Sequence, residues 1–248
     1  MKKGALLRKV ALFAAVIGTL GAVSKTVEAS ASEFIRGADI SILSDMEKSG
    51  AKYYEDSFSK DALEILKNNG VNYVRLRLWQ DPYNSNGESY GAGTNDLETT
   101  IALAKRAKSL GLNVLLDFHY SDFWVDPGKQ NVPKAWQDLT FEEMNTALYD
   151  YTKNVLSEMK QLDVYPDMVQ IGNELNSGML WPYGKSWGED GGEFDRLATF
   201  LKSGVQAVRD TQPKTTPVML HLADGGDTGA FTWWFDEITS RGVSFDLI

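Results

Sequence analysis

One joint recurs along this chain and restricts its folds more than any other feature. Asn68-Asn69-Gly70-Val71-Asn72-Tyr73 runs into Val-Arg-Leu-Arg-Leu, and Ser109-Leu110-Gly111-Leu112-Asn113-Val114 runs into Leu-Leu-Asp-Phe-His. Ser240-Arg241-Gly242-Val243-Ser244-Phe245 runs into Asp-Leu-Ile. Each time a helix ends at a glycine, the residue that closes a helix C-terminus without a Cβ penalty, and a buried strand begins a residue later. A repeated helix-to-strand joint means successive βα units and a parallel sheet.

The spacing predicts strands over Phe34–Ser41, Asn72–Leu78, Asn113–Phe118, Met168–Asn173, Pro217–Leu222 and Ser244–Ile248. Between them it predicts helices over Lys60–Asn69 with Ser59 as N-cap, and over Leu97–Leu110 with Asp96 as N-cap. A third helix follows the Thr140/Glu143 capping box, a fourth covers Phe194–Thr211 before Pro213, and a fifth lies near Trp233–Ser240. Helix-to-strand joints are short, whereas Trp79–Asp96, Tyr120–Thr140 and Leu175–Glu193 are long. Long loops on one face are expected of a (β/α)8 TIM barrel with its site at the strand C-termini. A doubly wound sheet competes, but no Gly-rich phosphate turn follows an early strand. Closure needs eight strands, and these residues supply about the first five and a half βα units. Residues 32–248 are thus expected to be the N-terminal two-thirds of such a domain, whether as a fragment, a truncated product or a split chain.

Residues 1–31 read separately. Lys2, Lys3, Arg8 and Lys9 precede an apolar run from Val10 to Val23, too short for a comfortable membrane span, and Ala29-Ser30-Ala31 is a small-x-small cleavage signal. This is the pattern of a secretory leader cut after Ala31, with a retained anchor as the alternative. The leader holds five basic residues and one acidic, so its removal takes the net charge from −9 to −13. That surface argues against nucleic acid and anionic polysaccharide and suits a secreted, extracellular enzyme on a neutral polymer. No membrane contact is expected after cleavage, and a monomer is expected. With no cysteine there is no disulfide, and a core of this size needs none.

The chemistry gathers at strand ends. Val169-Gln170-Ile171-Gly172-Asn173-Glu174 sets a carboxyl at the top of a buried strand, where polar groups are costly without a task. It reads as the general acid/base of a glycoside hydrolase. Such an acid needs a raised pKa, and the neutral Asn173 amide can bond a sugar 2-OH without adding charge. An exposed Glu after a strand is the plain alternative. Arg75 and Arg77 alternate with Val74, Leu76 and Leu78, so both point into the barrel if the aliphatics face the helices. Either could instead pair with Asp39 or Asp117 and fill the barrel floor. Asp117 and His119 share one face, and His221, the other of the two histidines, ends a strand. All seven tryptophans fall in or just after strand-to-helix loops, which suits the C–H face of a pyranose, with two or three expected to be core. No zinc-protease motif, cysteine cluster, phosphate loop or serine elbow is present. Asp224 and Asp227 lie near glycines without EF-hand spacing, and a turn is expected there.

Several longer motifs carry a resemblance. Gly37-Ala38-Asp39-Ile40-Ser41, Arg75-Leu76-Arg77-Leu78-Trp79 and Asp117-Phe118-His119-Tyr120-Ser121-Asp122-Phe123-Trp124 lie in order along the chain. Asp126-Pro127-Gly128-Lys129-Gln130 and Gln170-Ile171-Gly172-Asn173-Glu174 follow. Together they resemble glycoside hydrolase family 53, the secreted endo-β-1,4-galactanases acting on arabinogalactan. The resemblance implies a (β/α)8 barrel that cuts internal β-1,4 bonds of pectin galactan with retention. It implies Glu174 as acid/base and a cleft lined by Asp126, Pro127, Gly128 and Lys129. Asn173, His119, Trp124, Arg77 and His221 are expected around the substrate. The implied nucleophile is a Glu on a seventh strand, which these residues do not include. No cofactor is implied for residues 1–248, and calcium is possible only through later loops of the complete domain. Two readings stay beside this one: a non-catalytic galactan binder or inert fragment, and an enzyme for xylan, mannan or cellulose.

Overall fold

The glycine joints set the architecture. The computed structural model describes residues 34–187, 193–211 and 216–248, so the expected leader and Pro213 lie outside the described residues. In order come β1 (Gly37–Asp39), α1 (Leu43–Lys48), β2 (Tyr53–Glu55), β3 (Phe58–Lys60), α2 (Ala62–Asn68) and β4 (Tyr73–Leu78). Then follow α3 (Leu97–Ser109), β5 (Asn113–Phe118), α4 (Phe141–Gln161), β6 (Met168–Ile171), β7 (Gly178–Met179) and β8 (Gly184–Lys185). Last come α5 (Phe194–Thr211), β9 (Val218–Met219) and α6 (Thr228–Ser240). The main sheet is parallel throughout, in the order β1-β4-β5-β6-β9, while β2–β3 and β7–β8 are small antiparallel hairpins. This is the strand-and-helix succession of a (β/α)8 barrel, extended over its early units.

Gly70, Gly111 and Gly242 take φ of +89°, +73° and +74°. In each joint the following N–H closes on a carbonyl five residues back: Val71 on Leu66 at 3.0 Å, Leu112 on Ala107 at 3.0 Å and Val243 on Ile238 at 3.3 Å. The glycine N–H groups close on Lys67 O, Lys108 O and Thr239 O, and the two bonds together satisfy the last carbonyls; after Gly70 and Gly111 the chain runs directly into a strand. Two further joints close the same way beyond the three expected. Ala51 bonds Met46 across Gly50, and Val164 bonds Met159 across Asp163, which holds φ +56°.

Strand alternation sorts the faces. Val74, Leu76 and Leu78, then Val114, Leu116 and Phe118, then Val169 and Ile171 are fully buried in the core beneath the helices. Each such side chain is worth about 1.5–3 kcal/mol relative to exposure. The alternate positions bring Arg77, Asp117 and Gln170 into one row, with Arg77 paired to Asp117 and Asp117 to Gln170 across the sheet.

The structure corrects several boundaries. Strand one shrinks to Gly37–Asp39, because among the described strands it pairs with β4 alone. Ser59 is not a helix cap, since it pairs with Tyr54 in the hairpin. Asp61 caps α2 instead, accepting from Leu63 N at 2.7 Å and Glu64 N at 3.2 Å. The last helix begins at Thr228, well before Trp233, because Asp227 accepts from Ala230 N and starts it. Asp224 and Asp227 do form a turn, closed by Asp227 N on Asp224 O at 2.9 Å. The expected strand over Ser244–Ile248 is reduced to one parallel bridge of Leu247 with Met219. The Asp96 cap and the Thr140/Glu143 capping box form as expected. Among the described residues no helix is long and apolar enough to cross a membrane.

Candidate active site

The floor of the site is an ionic network built on strand ends. Arg75 stands at its centre. Its Nη1 lies 2.9 Å from Asp39 Oδ2 and its Nη2 2.7 Å from Asp117 Oδ2. Nη2 also donates to Asn173 Oδ1 at 2.9 Å, and Nε donates to Gln170 Oε1 at 3.2 Å. The plain expectation for Arg75, pairing with Asp39 or Asp117, is met with both. Gln170 uses its amide in turn, donating to Asp117 Oδ1 at 2.8 Å and to Gly172 O at 2.8 Å. Asp117 has no exposed surface. Burial alone would raise its carboxyl; the His119 ring and the Arg75 guanidinium outweigh burial and hold it below its ordinary value.

The two histidines stand differently. His119 is buried, with Nε2 at 3.0 Å from Asp117 Oδ2. Its Nδ1 accepts from Trp79 Nε1 at 3.1 Å. Indole nitrogen can only donate, so Nδ1 carries the lone pair and the ring proton sits on Nε2, facing Asp117. Nδ1 is thus engaged by Trp79, whereas Nε2 approaches Asp117 Oδ2 without hydrogen-bond geometry. His221 is half-buried beside the acid loop: Glu174 N donates to its Nδ1 at 3.2 Å, and Asn173 Oδ1 lies 3.1 Å from the same atom. Burial and then the Arg75 charge lower its pKa, so the ring is neutral near neutral pH.

Arg77 is buried, 3.6 Å from Asp39 Oδ2, with its guanidinium 4.1 Å over the Trp124 ring. Its Nε has no acceptor among the described residues. Trp124 also meets Trp79 edge-on at 5.7 Å, so the aromatic wall and the floor are continuous.

Glu174 rises from this floor at φ +49°, ψ +56°, an uncommon conformation for a residue with a Cβ. Its backbone is held on both edges. Gln130 Nε2 donates to Glu174 O at 3.2 Å, to Asn173 O at 2.9 Å and to Asp126 O at 3.2 Å, while Glu174 N is held by His221. Its carboxyl has no hydrogen-bond partner among the described residues. Burial first, then the Asp126 carboxylate, push its pKa above the ordinary value; His119 and Arg75 oppose this, and Asp224 adds to the rise. A half-buried carboxyl with a raised pKa beside an ionised floor is fitted to donate a proton.

Asp126-Pro127-Gly128-Lys129 forms one wall as a tight turn. Lys129 N donates to Asp126 O at 3.0 Å, Gly128 N donates to Asp126 Oδ1 at 2.8 Å, and Lys129 Nζ lies 3.4 Å from Asp126 Oδ2. Proline at the second position presets φ for such a turn. Asp126 reaches the acid through Gln130, whereas Pro127, Gly128 and Lys129 form the tip and make no bond to the floor. The structure therefore gathers Glu174, Asn173, His119, His221, Arg77, Trp124 and Asp126 around one point. Of the tryptophans, Trp79, Trp136 and Trp234 are buried core, within the number expected. Gln130 and Gln170 are the residues that sequence reasoning passed over. A glutamine carries no chemical signature, and only strand register reveals what these two join.

A family model for glycosyl hydrolase family 53 matches residues 35–248. The endo-beta-1,4-galactanase of Bacillus subtilis (strain 168) is 40% identical over 224 residues, covering 90% of this chain and 50% of the relative. The arabinogalactan endo-beta-1,4-galactanase of Cellvibrio japonicus (strain Ueda107) is 38% identical over 247 residues, covering 96% and 61%. Among solved structures, the GH53 catalytic domain of Ignisphaera aggregans superposes with a TM-score of 0.81 at 43% identity, covering 86% of this chain and 58% of that one. The chain thus spans half to three-fifths of the length of these relatives. Matched by the family model through every strand of its sheet, with an acid loop and ionic floor assembled from the same segments, this chain belongs to glycosyl hydrolase family 53.

Proposed function

We propose that the protein is a secreted, endo-acting β-1,4-galactanase in which Glu174 is the acid/base. The relatives named as galactanases support the reaction class. The observation that carries the assignment is the Glu174 carboxyl, held above its ordinary pKa, without a hydrogen-bond partner among the described residues, at the rim of an ionised floor. In a retaining mechanism two carboxyls about 5–5.5 Å apart flank the scissile bond. Glu174 protonates the leaving oxygen while the second carboxylate attacks the anomeric carbon. Glu174 then takes a proton from the water that frees the sugar. The second carboxylate is assigned to a seventh barrel strand, outside residues 1–248. Arg77, with an unused Nε donor, is suited to hold that carboxylate ionised, and His119 acts on it only through Asp117.

In an enzyme carrying the complete barrel, Glu174→Gln is expected to reduce reducing-sugar release from galactan by ~10³-fold. Wild-type turnover in that variant would overturn the assignment. The rival reading, a galactan binder without turnover, is excluded by release far above background from the 248-residue chain. Retained galactan binding with background release from an enzyme carrying the complete barrel supports it. Initial rates on galactan, xylan, mannan and cellulose decide the polymer. Secretion is tested by the N-terminus of protein recovered from culture medium, expected at Ser32.

A further inference from the structure

The loop that leads away from Glu174 carries a small hairpin with no part in the proton transfer. Its backbones are packed unusually close: a Cβ at Gly178 would lie 1.9 Å from Gly184 O, and one at Gly184 would lie 2.5 Å from Met179 O. Only glycine allows that approach. The hairpin is fastened to the short helical turn Leu175–Ser177 that directly follows the acid. Ser186 Oγ donates to Asn176 O at 2.7 Å, Ser186 N to Ser177 O at 3.2 Å, and Trp181 Nε1 to Ser177 O at 2.8 Å. Trp181 N donates to the backbone carbonyl of Gln130 at 3.0 Å, the residue whose side chain clamps Glu174.

What this frame holds up is an aromatic corner. The Trp181 and Trp187 rings stand at 89° with centroids 6.4 Å apart. Lys185 Nζ fills the angle, 4.9 Å from the Trp181 ring and 4.3 Å from the Trp187 ring. Cation–π attraction fixes both indoles. Trp187 nevertheless remains 51% exposed. A large, immobilised apolar face left in water beside a catalytic loop is a binding surface, not packing.

We propose that the Trp181–Lys185–Trp187 corner is a sugar-binding subsite that seats a galactosyl unit of the polymer on the flank of Glu174. The proposal rests on the galactanase reading above and adds where the chain is gripped. A β-galactopyranose turns H3, H4 and H5 to one side, an apolar patch that lies flat on an indole, and the Lys185 ammonium stands within reach of the hydroxyls at its edge. A neutral polymer fits better than an anionic one, because Asp126 and Asp224 act on the adjacent acid. Rigid attachment to residues 176 and 177 makes the surface continuous with the cleft.

Affinity electrophoresis through gels containing linear β-1,4-galactan tests this with the full chain. Wild type is expected to be retarded, and Trp187→Ala to bind roughly tenfold more weakly. Trp187→Phe, which keeps a ring, should recover part of the retardation. Trp233→Ala, a control at an equally exposed indole on α6, should migrate like wild type. Trp187→Ala retarded as strongly as wild type overturns the subsite, as does equal loss in the Trp233 control. Retardation of wild type on xylan, mannan or soluble cellulose in place of galactan overturns the galactan reading alone, and the Trp187 variants are then compared on that polymer. No retardation on any of the four overturns both.

Discussion

The proton transfer proposed for Glu174 needs the charged form of its carboxyl disfavoured, and part of that work falls to Asp126. The acid form exists below the raised pKa and is lost as pH rises through it. Asp126→Asn keeps the oxygen that accepts from Gly128 N but removes the negative charge. The alkaline limb of kcat/KM on galactan is therefore expected to move to lower pH, and a limb that stays or moves up would contradict the electrostatic role. Asp117 illustrates the opposite case. Its depressed pKa gives stability that is present above the unfolded value of about 3.9 and is lost as pH falls through the folded value. Asp117→Asn leaves Arg75 with Asp39 as its remaining carboxylate and takes the charge away from the buried His119 ring. It should cost about 1–3 kcal/mol in urea unfolding at neutral pH, the range for a buried polar group that loses its partner.

Helix ends decide how the chain moves from one layer to the next. Gly70, Gly111 and Gly242 announced themselves in the sequence because a left-handed residue closing a helix is usually glycine, and a run with strand character followed each, although only the first two runs form strands. Asp163 does the same task with a Cβ, and no composition signal marks it. Asp163→Gly should therefore raise stability by a few tenths to about 1 kcal/mol, read as a higher Tm, since relief of the left-handed strain exceeds the entropy glycine adds to the unfolded chain. Long elements with strong periods, such as α3 and β5, were legible nearly to the residue, as was the start of α4. The hairpins β2–β3 and β7–β8 were not, because strands of two or three residues show no alternation to read. The acid loop was legible from a polar pair ending an aliphatic strand. The glutamine clamp was not, because it joins residues 43 and 44 positions apart that only the parallel register brings together.

At the level of the molecule, every strand of the main sheet points its C-terminal end toward one face, so the long loops and the site share that face while the core lies behind it. On the outer side of β1 lies an apolar groove of about 350 Å³, lined by Ile40, Leu43, Met46, Tyr53, Ile65 and Leu66. Met46 and Tyr54 beside it are exposed. A fluorescent apolar dye should bind there, and Met46→Glu should cut its emission without lowering Tm; unchanged emission would place the dye elsewhere. The peptide of Glu174 has a different kind of dependence on its surroundings. Its N–H is moored to a ring that follows β9 and its carbonyl to an amide that follows β5. Residue 174 stands like a mast stayed from both sides. Remodelling of either neighbouring loop would tilt the direction in which its carboxyl points, even with every atom of its own segment unaltered.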